Sequence, residues 1–175
     1  SIYVPIFLVM ALIFGCAGDF FMLNPNFALT EDKEERKTQR RNYLFGILTF
    51  AIGHAFYLAL IFLTTEQKIF SLPFAIILPI IYAIFIVVMY FMLKKPTGLV
   101  GFATVFYACI LMIINFFCIN PILGGHYKLS IFLRLAGNLF FLLSDSTISL
   151  TIFVKDFKYS RFVIMITYLV AQYLL

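Results

Sequence analysis

Charge is what this sequence has least of. Only 12% of its 175 residues are Asp, Glu, Lys or Arg, while 63% are hydrophobic and the mean hydropathy is +1.04. A soluble domain carries about 25% charged and about 45–50% apolar residues. A fold of this size cannot hide so much apolar surface within itself, so lipid is the solvent for much of it. Cysteine is nearly as sparse. Cys16, Cys109 and Cys118 all lie in apolar runs, and an odd number without zinc spacing excludes a disulfide framework or a zinc site and leaves small buried hydrophobes. There is no nucleic-acid-binding motif. The net charge of +5 sits in short loops between apolar runs, the pattern of membrane orientation and not of nucleic-acid binding. Tryptophan is absent, whereas phenylalanine occurs 23 times, to face lipid or fill gaps between helices.

The apolar sequence divides into six candidate spans, 2–23, 43–63, 70–93, 98–120, 129–153 and 160–175, the first five near the roughly 20 residues a spanning helix needs and the last shorter. The predicted fold is therefore all-α: a single polytopic transmembrane helix bundle over 1–175. "LNPN" at 23–26 and "INPIL" at 119–123 are expected to stop helices, and Pro79 to kink the third. "TEDKEERKTQRRN" at 30–42 reads as a solvated, helical extension at the membrane surface. The first loop holds Lys33, Arg36, Lys37, Arg40 and Arg41, the third Lys94 and Lys95, and the fifth Lys155, Lys158 and Arg161; the second and fourth hold only Lys68 and Lys128. Loops one, three and five are thus expected on the cytoplasmic side. The first run begins almost at once, after Ser1, too long and without the basic start of a signal peptide. An N-terminally truncated chain is the expectation.

Two acids break the apolar runs: Asp19 in "LIFGCAGDFFML" and Asp145 in "GNLFFLLSDSTIS". A charged side chain at membrane depth costs at least about 2.5–3.5 kcal/mol on insertion scales, and such residues commonly face the protein interior and carry function. Helices one and five run in the same direction, which sets the two acids at similar depth, where they are expected to meet in one secluded cavity. A low dielectric favours the neutral acid, and two close carboxyls do not readily both ionise. Such a pair supplies a general acid and a general base. Asn138 and Asp145 are seven residues apart, hence on one side of a helix, with Ser149 four further on. His54 and Tyr57 also share a face. Gly15 and Gly18 permit close helix approach or make room for a ligand.

Each neighbour has a plainer reading as well. Asn115 and Asn138 suit interhelical hydrogen bonds, His54 a bond to a nearby carbonyl, and Arg134 a snorkelling position. Ser144, Ser146, Thr147 and Ser149 can bond back to their own helix. "LLSDS" is not the G-x-S-x-G elbow of a serine hydrolase. His54 is the only histidine within the apolar runs, so no metal constellation accompanies the acids.

"GCAGDFFML" (15–23), "LFGILTFAIGHAFYLALIF" (44–62), "GNLFFLLSDSTISLTIF" (137–153) and "YLVAQYLL" (168–175), in this order and spacing, resemble the YhhN family over nearly the whole chain. The resemblance implies a multi-helix membrane hydrolase, a lysoplasmalogenase. It cleaves the vinyl ether of a lysoplasmalogen to a fatty aldehyde and glycerophosphoethanolamine or glycerophosphocholine, with no cofactor. The family has about eight helices, two before the "GD" segment, which agrees with a truncated start here. The family's aspartate pair falls on Asp19 and Asp145, and its histidine and tyrosine on His54 and Tyr57. Asp145 is then the expected proton donor and Asp19 its carboxylate partner, or the reverse, with His54, Tyr57 and Asn138 orienting carboxyl or glycerol oxygens. The basic cytoplasmic ends are expected to attract the head-group phosphate, and a bacterial inner membrane is the expected location. A proton-coupled carrier uses similar residues, although no internal repeat is visible. A lipid-binding protein with structural acids is the other alternative.

Overall fold

In lipid a backbone satisfies its N–H and C=O groups within its own segment, so each long apolar run becomes a helix. The computed structural model describes residues 3–23, 30–65, 72–92, 98–155 and 157–175. Pro25, Lys68, Lys94 and Lys95 of the arguments above lie outside these. Among the described residues there are six helices: α1 Tyr3–Phe21, α2 Lys33–Thr64, α3 Leu72–Met92, α4 Leu99–Leu123, α5 Leu129–Phe153 and α6 Ser160–Leu174. Five are long and apolar enough to cross a membrane, and α6 is shorter at 15 residues.

The 30–42 stretch and the second apolar run form one helix. Asp32 caps it, its Oδ1 accepting the amide of Glu34 at 3.0 Å, and Glu34 and Glu35 occupy the first turn, where the helix dipole favours acids. At 32 residues α2 is about 48 Å long, against a hydrocarbon core of about 30 Å, so its charged N-terminal turns project beyond the lipid.

Proline behaves differently from the sequence expectation. α4 runs through Asn120 and Pro121 to Leu123, since membrane helices tolerate a lost backbone bond near an end. The stop comes from Gly124 and Gly125. Gly125 has φ +84°, its amide bonds the Ile122 carbonyl, and the His126 amide bonds the Pro121 carbonyl, both at 3.0 Å. This is a Schellman closure, which wants glycine at the left-handed position. Pro79 lies inside α3, where the sequence put it.

α1 packs on α2, α2 on α4, α4 on α3 and α5, and α5 on α6. Side chains close the ring: Tyr168 of α6 reaches Asp19 of α1, and Gln172 lies against Gly15. α3 stands at the outside, its described backbone packed against α4 alone. It is the most apolar span, with the hydroxyls of Tyr82 and Tyr90 as its polar groups, and none of its described residues is buried.

Candidate active site

The centre of the ring is aromatic. Phe50 of α2 lies with its ring centroid 6.5 Å from Tyr107, 5.9 Å from Phe141 and 6.4 Å from Tyr168. It reaches that position because Gly18 has no side chain; a Cβ there would sit 2.8 Å from the ring. Gly53 similarly lets α2 approach the Ala11 carbonyl. The glycines of the first two helices therefore set how deep the aromatic layer is inserted.

The two membrane acids belong to this layer, each bound by a tyrosine. The Tyr107 hydroxyl donates to Asp145 Oδ2 at 2.8 Å. The Tyr168 hydroxyl donates to Asp19 Oδ2 at 2.6 Å and itself accepts from Gln172 Nε2 at 2.9 Å. The two carboxyls are within electrostatic reach of one another. They are not hydrogen-bonded to each other, and α1 and α5 do not pack together. Each acid is thus held through its Oδ2 by its own tyrosine, Asp145 by Tyr107 of α4 and Asp19 by Tyr168 of α6. Asp145 also lines a cavity of about 50 Å³ with Tyr107 and Ser149, walled on the outside by Ile86, Met89 and Tyr90 of α3. Tyr43, 3.2 Å from Thr104 Oγ1, stands nearby.

His54, Tyr57 and Asn138 lie together, one layer further from the charged end of α2. All three are buried and line a second cavity of about 110 Å³. His54 Nδ1 is 2.9 Å from the Phe50 carbonyl; a carbonyl only accepts, so Nδ1 carries the hydrogen and Nε2 is an acceptor. Asn138 Nδ2 donates to the Leu111 carbonyl at 3.0 Å, and Asn115 Nδ2 donates to the same carbonyl at 3.2 Å. His54 Nε2, Asn138 Oδ1 and Asn115 Oδ1 are buried without a partner. The His54 ring packs edge-on against Phe141 at 4.4 Å and Tyr107 at 5.6 Å, so it borders both the second cavity and the tyrosine that holds Asp145.

Three hydroxyls of α5, those of Ser144, Thr147 and Thr151, are spent on backbone carbonyls. Ser144 donates to the Ile164 carbonyl of α6 at 3.3 Å, and Thr147 to the Leu143 carbonyl of its own helix at 2.8 Å. All three cysteines are free thiols, and no cluster of three His, Cys, Asp or Glu side chains among the described residues is arranged to hold a metal. Sequence reading did not single out Tyr107, Tyr168, Gln172 or Phe50. The sequence has 10 tyrosines, and their partners here are 38 and 149 residues away. The sequence model of the YhhN family matches residues 4–175. No curated protein and no solved structure matches the chain.

Proposed function

This chain belongs to the YhhN family, and on that premise we propose that it is a membrane-embedded lysoplasmalogenase. It hydrolyses the vinyl ether of a lysoplasmalogen to a fatty aldehyde and glycerophosphoethanolamine or glycerophosphocholine. The observation that carries the reading is the pair of tyrosine-bound carboxyls in the aromatic centre, Asp19 and Asp145. The other acids of the sequence, Glu31, Asp32, Glu34, Glu35, Glu66 and Asp156, all fall between the apolar runs.

A vinyl ether is cleaved by protonating its β-carbon. Asp145 suits this step, because Tyr107 occupies Oδ2, Oδ1 is left for the proton, and the carboxyl opens on a cavity. The π electrons form the new C–H bond, and positive charge develops on the α-carbon and the ether oxygen. The Asp19 carboxylate, fixed by Tyr168, opposes that charge in a setting poor in water, where such stabilisation is strongest. Water adds to the α-carbon and gives up a proton to the now ionised Asp145. The hemiacetal then collapses: the bond to the glycerol oxygen breaks, that oxygen takes a proton, and the aldehyde carbonyl forms. One water is consumed. The roles of the acids interchange if Asp19 carries the proton. His54, Tyr57 and Asn138 hold the glycerol oxygens, and the alkyl chain lies among Phe and Leu side chains.

The test is aldehyde release by purified protein in detergent micelles supplied with a lysoplasmalogen, with the aldehyde trapped as it forms. In D₂O the trapped product should carry one deuterium on the carbon next to the carbonyl. Release without that deuterium would overturn the carbon-protonation route. Uptake of intact lysoplasmalogen into vesicles with no aldehyde would make the protein a carrier.

A further inference from the structure

A polar cavity suited to a lipid head lies at the end of the bundle away from the charged α2 extension. It has a volume of about 160 Å³ and is lined by Thr64 and Thr65 at the end of α2, His126 and Lys128 after α4, and Ser130 and Arg134 of α5. Among the described residues no carboxylate lines it. Arg134 Nη1 donates to Thr64 Oγ1 at 2.8 Å and Thr65 Oγ1 at 3.4 Å, and neither partner carries charge. The Schellman closure at Gly125 folds the α4–α5 connection back and brings His126 and Lys128 to this mouth.

The mouth shares Thr64 and Arg134 with the cavity of about 110 Å³ beneath it. Two buried atoms on the walls of that lower cavity want a donor: His54 Nε2 and Asn138 Oδ1, on residues 2% and 0% exposed. Both are acceptors, since His54 Nδ1 holds the hydrogen and Asn138 spends Nδ2 on Leu111. A site with cations at the mouth and orphan acceptors one layer below fits an anion that carries a hydroxyl close by. Arg134 and Asn138 are four residues apart on α5, about 6 Å of helical rise, the scale of a phosphate and the hydroxyl two carbons from it.

We infer that Arg134 and Lys128 hold the phosphate of a single-chain glycerophospholipid, while His54 Nε2 and Asn138 Oδ1 accept its free glycerol hydroxyl. The pairing reads whether that hydroxyl is free or acylated, because an acylated oxygen has no hydrogen to donate and leaves both acceptors unpaired. The choice of lipid rests on the proposed function, but the site is defined by binding and not by turnover.

Binding is measured with a non-cleavable 1-alkyl lysophosphatidylethanolamine and its 2-O-methyl analogue, in detergent, on wild type and Arg134→Gln protein of matched elution profile. Glycerophosphoethanolamine and inorganic phosphate serve as competitors. The alkyl probe should bind wild type and lose at least about tenfold in affinity in Arg134→Gln, as a bidentate charged contact is removed. The 2-O-methyl analogue, which leaves the protein intact, should lose a similar factor on wild type. Glycerophosphoethanolamine should compete better than phosphate. Equal binding by wild type and Arg134→Gln, indifference to the 2-O-methyl group, or competition by phosphate equal to that of glycerophosphoethanolamine would each overturn the assignment. A wild type that binds the probe but never releases aldehyde would sink the lysoplasmalogenase reading and leave this site standing. Turnover with an unchanged KM in Arg134→Gln would sink the site alone.

Discussion

Replacing Gly18 with alanine places a methyl carbon 2.8 Å from Cε1 and Cζ of Phe50 and 2.9 Å from its Cδ1. Carbon atoms prefer roughly 3.5–4.0 Å, so three contacts are each short by about 0.7 Å. Phe50 has nowhere to withdraw, being buried and bounded by Tyr107, Phe141 and Tyr168. α1 must therefore move off α2. Overpacking of this kind costs about 1–3 kcal/mol, and the better helix propensity of alanine returns about 1 kcal/mol, leaving a net loss of up to about 2 kcal/mol. Asp19 is the next residue, so the displacement also draws its carboxyl from the Tyr168 hydroxyl at 2.6 Å, and turnover falls with stability. Unfolding of purified Gly18→Ala by a denaturing detergent, beside aldehyde release, measures both. Phe50→Leu in the same protein should recover about 1 kcal/mol relative to the sum of the single changes. Gly15→Ala is the control, since its new carbon meets only Gln172 Nε2, at an ordinary 3.5 Å. A Gly18→Ala protein more stable than wild type, or a double variant that is merely additive, would refute the packing argument.

Tyr107→Phe and Tyr168→Phe keep the rings and remove the hydroxyls. A hydrogen bond to a charged group contributes about 1.5–3 kcal/mol, so each should lower kcat by about 10- to 150-fold with a smaller change in KM, read by steady-state kinetics. Ser144→Ala loses only a long bond to the Ile164 carbonyl and should retain turnover; abolished turnover would make Ser144 a nucleophile after all. Asp32→Ala removes the cap of α2, and hydrogen exchange should quicken over residues 33–36 while aldehyde release is unchanged.

The spans were legible because lipid forces long apolar runs into helices, and the 30–42 charges marked where α2 leaves the membrane. Proline misled at Pro121, since a membrane helix absorbs it and the glycine pair that follows sets the stop. That α3 stands apart is foreshadowed by its being the most apolar span, but ring order is not written in any single helix. Asp19 and Asp145 stood out because charge is costly at that depth. Their tyrosines did not, because Tyr107 and Tyr168 look like any aromatic in an apolar run until α4 meets α5 and α6 meets α1. The tyrosine holding each acid was hidden for a physical reason: periodicity gives depth and face, but not which neighbour fills the space between two helices. Arg134 read as a snorkelling side chain, and only the fold of the α4–α5 connection shows what gathers around it.

The most direct measurement is turnover of Asp19→Asn and Asp145→Asn, each purified as a folded protein that still binds the alkyl lysophospholipid probe. Removal of a positioned acid or base costs about 10²- to 10⁴-fold, and both variants should fall by that order in aldehyde release with probe binding retained. Wild-type turnover in either variant would contradict the assignment of chemistry to this pair.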